Sequence, residues 1–124
     1  MKLFDYCEFF SKVLEKPVYP LQYPFNDGVE DCYTLDVTYG YNLGAGVKSS
    51  TVQFQCKSEH PRVAEEKAEE LIVKLKNMTN KVHGNYQIIQ VRPSFTNPYF
   101  LGRDNDYKYM FTVDFVILTN KLDN

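Results

Sequence analysis

The sequence predicts an α+β fold: two helices packed on one face of a four- to five-stranded, mainly antiparallel sheet. The expected order is α-β-β-α-β-β, with a Pro-rich extended arm after the first helix. Three observations predict it. The stretch Pro61–Thr79 places Ala64, Ala68, Leu71, Ile72, Leu75 and Met78 on one stripe of a 3.6-residue helix. The segments on either side alternate apolar and polar residues, the pattern of half-buried strands. The 124 residues, 44% hydrophobic and 24% charged, suit a single α+β domain spanning 1–124 around one core.

Taken in order, Lys2–Glu15 reads as the first helix. Leu3, Tyr6, Cys7, Phe10 and Leu14 recur at helical spacing, and Phe4, Phe9 and Val13 widen the apolar face. So much apolar surface either completes the core or also meets a neighbouring subunit. Pro17 stops the helix. Pro17–Phe25 holds three prolines, which remove ladder donors and keep the chain extended as an edge strand or arm. Asn26-Asp27-Gly28 is a turn signal.

Cys32–Tyr39 alternates, with Tyr33, Leu35, Val37 and Tyr39 sharing one side. Gly40–Ser50 reads as a loop, and Thr51–Lys57 alternates again. The two strands form a hairpin with a long tip, and long loops in compact domains are usually functional or disordered.

The central helix carries Glu65, Glu66, Glu69, Glu70, Lys74 and Lys76 on its polar face. Pro61 fits its first turn, and Glu70 precedes Lys74 by four residues, the favourable orientation for a pair. His83-Gly84-Asn85 then turns the chain into a strand, Tyr86–Arg92. Pro93–Asp106 is a loop. Tyr107–Thr119 is the longest strand, with Tyr107, Tyr109, Phe111, Val113, Phe115 and Ile117 on one face. A polar tail, Asn120–Asn124, follows.

Composition narrows the function. The net charge of −2 argues against non-specific capture of nucleic-acid phosphates by the whole surface. No apolar run approaches the ~20 residues of a membrane span, so no membrane contact is expected. Asp5 and Glu8 interrupt any signal-peptide core, which points to a cytoplasmic origin. Cys7, Cys32 and Cys56 are odd in number and lack CxxC spacing; small buried hydrophobes is the plainer reading than a disulfide framework or zinc site.

Catalytic and cofactor motifs fail one by one. Gly40–Ser50 contains glycine, lysine and serine, but Val47 separates Gly46 from Lys48 and a strand follows instead of a helix, so it is no P-loop. His60 and His83 flank the central helix and stand on the order of 30 Å apart along its axis, too far to share a metal. No serine or cysteine lies in a nucleophile context such as GxSxG. The glutamates of the helix are a solvated face. Asp104 and Asp106, beside Gly102 and Arg103, read as turn residues before they read as cation ligands. No enzyme, cofactor or metal is expected. Strand aromatics invite comparison with base-stacking sheets, but the alternation places most of them under the helices. A small α+β nucleic-acid-binding module remains the alternative reading.

The ordered elements resemble a family: the small minor capsid or tail-terminator proteins of long-tailed bacteriophages. The likeness rests on the N-terminal helix, the Pro-rich arm, the alternating hairpin and the helix Ala64-x3-Ala68-x2-Leu71-x3-Leu75. It continues through Pro93-x-Phe95 and Pro98-Tyr99-x2-Gly102-Arg103-Asp104 into the aromatic last strand. The resemblance implies a structural virion protein of the neck, assembled in the host cytoplasm into a homo-oligomeric ring, commonly a hexamer. Such a ring caps the tail tube, ends polymerisation of the tail tube protein and docks to the head-completion or connector protein, while DNA passes through its lumen. It implies subunit or partner contacts for Tyr41, Asn42 and Lys48 on the hairpin and for Tyr99, Arg103 and Asp104 in the late loop. Arg103 and Asp104 are expected to pair across an interface.

Overall fold

A computed structural model describes residues 1–21, 32–104 and 107–122. Asn26-Asp27-Gly28, the end of the Pro-rich arm and Asp106 lie outside the described residues. The elements are α1 (Leu3–Leu14), β1 (Val18–Pro20), β2 (Tyr33–Gly44), β3 (Val47–Ser58), α2 (Pro61–Leu75), β4 (Met78–His83), β5 (Tyr86–Pro93), β6 (Tyr99–Arg103) and β7 (Tyr109–Lys121). The fold is α+β, but the sheet has seven strands among the described residues, where four or five were expected. Their order is β1-β2-β3-β7-β5-β4, with β6 pairing the free flank of β7 ahead of β5. The β1–β2 pair is parallel and every other pair is antiparallel, which makes the sheet mixed.

The core follows from the alternation. Val52, Phe54 and Cys56 of β3 and Val113, Phe115 and Ile117 of β7 face the same side and are fully or almost fully buried. Tyr6, Phe9, Phe10 and Leu14 of α1 and Ala68, Leu71 and Leu75 of α2 complete one cluster with them. Phe54 sits at its centre, edge-to-face with Phe10 at 5.1 Å and with Phe115 at 5.6 Å. Such pairs add about 0.5–1.5 kcal/mol beyond the burial of their area. The Glu70–Lys74 pair forms at 2.9 Å on the solvent face of α2.

Four departures from expectation have local causes. The central helix stops at Leu75 instead of Thr79. The Lys76 N–H closes the last turn on the Ile72 carbonyl, and Asn77 takes φ 64°, a left-handed conformation that asparagine tolerates. The chain then re-enters the sheet as β4, whose sequence MTNKVH lacks apolar alternation because it is a largely exposed edge. Gly40–Ser50 is not a loop. Both strands run through it to a two-residue turn, Ala45-Gly46, with φ 53° and 79°, the positive pair that a tight hairpin of primed type needs. The loop after β5 contains β6, and Tyr107, expected in the last strand, has φ 60° and lies in the turn before β7. His83 closes the β4–β5 hairpin, where Gly84 supplies φ 58°.

Candidate functional site

Two exposed regions stand at opposite ends of the twelve-residue β3. The first is the outer half of the β2–β3 hairpin. Val37 pairs with Val52, but Tyr39 pairs with Thr51, so Thr38 is an extra residue in β2. Its hydroxyl donates to the Thr51 carbonyl at 3.1 Å. A one-residue bulge reverses the facing of the residues beyond it, here as far as Asn42, after which Leu43 is another extra residue. Tyr33, Leu35 and Val37 therefore lie on the core side, while Tyr39 and Tyr41 lie on the other. The expectation that Tyr39 shares a side with Leu35 is corrected by this bulge. Tyr39 and Tyr41 are 55% and 60% exposed, their rings edge-to-face at 5.5 Å, and Leu43 is 59% exposed.

Asn42 stands opposite Lys48 in this ladder, while Tyr41 stands opposite Ser49 and takes the other face of the same hairpin arm. Lys48 is half-buried. Burial, and after it the Lys48 ammonium, lowers the Met1 amine below its ordinary range. Gly40 has a packing reason to be glycine: a Cβ there would stand 3.2 Å from the Lys48 Cε and the Ser49 carbonyl oxygen.

The second region is β6 with its flanking loops. The Tyr99 hydroxyl accepts from Gln53 Nε2 at 2.9 Å and donates to the Asp114 carboxylate at 3.3 Å. Phe95 packs on the Tyr99 ring at 6.0 Å. Phe95, Thr96, Asn97, Tyr99 and Asp114 line an open depression of about 510 Å³. Phe100, exposed, leans on the rings of Tyr109 and Phe111. A further register shift, at Leu101, lets Arg103 pair with Tyr109. The Arg103 guanidinium lies 4.9 Å from the Tyr109 ring centre and 5.1 Å from that of Tyr107.

Asp104 is engaged within its own chain. It binds the Lys57 ammonium at 2.8 Å and accepts the Lys108 backbone N–H at 2.9 Å. Its neighbour Arg103 covers two rings. Asp104 thereby shapes the β6–β7 turn, while the exposed Arg103 guanidinium lies over the two rings. Tyr99, Arg103 and Asp104 thus share one end of the sheet, and Tyr41, Asn42 and Lys48 the other.

The thiols are buried. Burial pushes Cys56 up to about 12 and Cys7 up to about 11, so both stay protonated and unreactive at neutral pH. One cluster has metal-ligand composition: donor atoms of Asp5, Glu8 and His83 all lie within 4.8 Å of one another. The sequence offered no sign of it, because the histidine is distant in the chain from the two carboxylates. Tyr39 is exposed although alternation assigns it to the core, and Leu43, Phe95 and Phe100 are exposed in segments whose composition reads as loop. Among the described residues, no helix is long and apolar enough to cross a membrane.

A family model described as bacteriophage tail terminator protein matches residues 33–121. The match runs from the start of β2 to the end of β7 and so takes in both exposed regions and α2. No curated protein matches the chain.

Proposed function

The chain belongs to the bacteriophage tail terminator family, and from that premise we propose that it is the repeating subunit of a ring that caps the tail tube. The ring ends polymerisation of the tube protein and offers its other surface to the head connector, and DNA passes through its lumen. A closed ring needs two unlike patches on each subunit, one meeting the other around the circle. The observation that carries the reading is the pair of exposed regions at opposite ends of β3. The tip holds Tyr39, Tyr41 and Leu43; the β6 end holds Phe95, Phe100 and Leu101. In this reading the hairpin tip of one subunit packs on the β6 region of the next.

The dimensions suit it. Twelve residues of strand separate the patches by about 36 Å, and six such steps close a circle of about 70 Å mean diameter. The net charge of −2 suits a lumen that lets DNA pass without holding its phosphates. Tyr41, Asn42 and Lys48 contact the neighbouring subunit or the tube. Tyr99, whose position Gln53 and Asp114 hold, lies at the receiving surface, and Arg103 and Asp104 maintain the turn that supports it. The test is electron microscopy of particles made by a phage lacking this gene. The reading expects tails of uncontrolled length, separate from DNA-filled heads; tails of normal length attached to heads would refute it.

A further inference from the structure

We propose that Asp5, Glu8 and His83 form a divalent-cation site that pins α1 to the β4–β5 hairpin. Asp5 and Glu8 are three residues apart in α1, so their carboxylates share one face of the helix. His83 reaches that face from the last residue of β4. Its Nε2 lies 3.5 Å from Glu8 Oε2. Around a zinc ion with bonds of about 2.0–2.1 Å, tetrahedral donors stand roughly 3.3 Å apart, so this pair is already close to chelating separation. The third donor needs a side-chain adjustment of about 1.5 Å, since all donor atoms lie within 4.8 Å of one another.

Two features hold the donors in place. The His83 side chain is only 11% exposed, and the Phe9 ring meets it edge-on at 5.9 Å, so the imidazole is held against α1. Asp5 Oδ2 accepts the Lys2 backbone N–H at 2.8 Å, which orients the carboxylate and leaves Oδ1 for a metal. One imidazole nitrogen and two carboxylate oxygens suit zinc or another borderline first-row divalent ion, with water completing the coordination. A bound ion would tie α1 to the sheet at the end where β4 is an exposed edge.

The test uses the purified full chain, stripped with a chelator, and Zn²⁺ alone as the probe. Calorimetry is expected to show one ion per chain. A hundredfold excess over the dissociation constant is expected to raise Tm by about 5 °C or more. Glu8→Gln changes a two-thirds exposed side chain and so should fold normally. It and His83→Gln are expected to weaken binding about tenfold or more, while His60→Gln leaves it unchanged. No heat with Zn²⁺ up to millimolar concentration, or binding by Glu8→Gln and His83→Gln as tight as that of the unaltered chain, would overturn the proposal. Neither outcome depends on whether the protein caps tails.

Discussion

The base and the tip of the β2–β3 hairpin are made of the same two strands, yet one is core and the other is solvent. At the base, Tyr33, Leu35, Phe54 and Cys56 are at most 1% exposed beneath α1 and its neighbours. At the tip, Tyr39, Tyr41 and Leu43 are more than half exposed. The residue types hardly differ. What differs is the extra residue at Thr38, which turns the two tyrosines away from the helix layer, and the length by which the strands run past it. Side chains at the base contribute the full stability of their burial; those at the tip, more than half exposed, contribute much less. In the proposed ring, these are the side chains that a neighbouring subunit covers.

Substitutions can break that contrast at either end. Phe54→Ala removes the ring that Phe10, Tyr33 and Phe115 surround. It is expected to cost about 3–5 kcal/mol, read as a lowered denaturant midpoint. Alkaline pH should act on the base next. Unfolded thiols ionise near 9, while folded Cys7 and Cys56 keep their protons to about 11 and about 12. Above pH 9 the unfolded state binds fewer protons than the folded one, so stability falls as pH rises through that window, by up to about 1.4 kcal/mol per pH unit for each thiol. Urea midpoints between pH 8 and 10.5 measure this, and Cys56→Ala should flatten the slope. At the tip, Tyr41→Ser is expected to move stability by no more than about 0.5 kcal/mol. The same substitution should abolish complementation of tail-length control, which separates an assembly residue from a core residue.

Periodicity made the hydrogen-bonded centre of the fold legible. The stripe of α2, the inward residues of β3 and β7, the Glu70–Lys74 pair and the turn at Gly84 all follow from local spacing. The sheet's margins did not. β4 is polar because it is an edge, and β6 is a short strand in a stretch rich in turn residues. The bulge at Thr38 leaves no mark in the alternation, which reads smoothly through Tyr39. Of the candidate contact residues, Asn42 and Lys48 stand opposite one another as their nearness in a hairpin implies, whereas Tyr41 takes the other face. The internal ion pair of Asp104 with Lys57 and the meeting of Asp5 and Glu8 with His83 depend on tertiary packing that no local pattern records.

In the proposed ring the hairpin tip of one subunit meets the β6 region of the next. The most direct measurement is thiol cross-linking of assembled tails that carry both Leu43→Cys and Phe100→Cys. The native thiols of Cys7, Cys32 and Cys56 are all buried, so a short bis-maleimide reads the introduced pair. The account predicts a ladder of covalent oligomers that stops at the ring number, and only monomers from either single variant. Absence of the ladder in assembled particles, or dimers from Leu43→Cys alone, would contradict a head-to-tail ring built through these two patches.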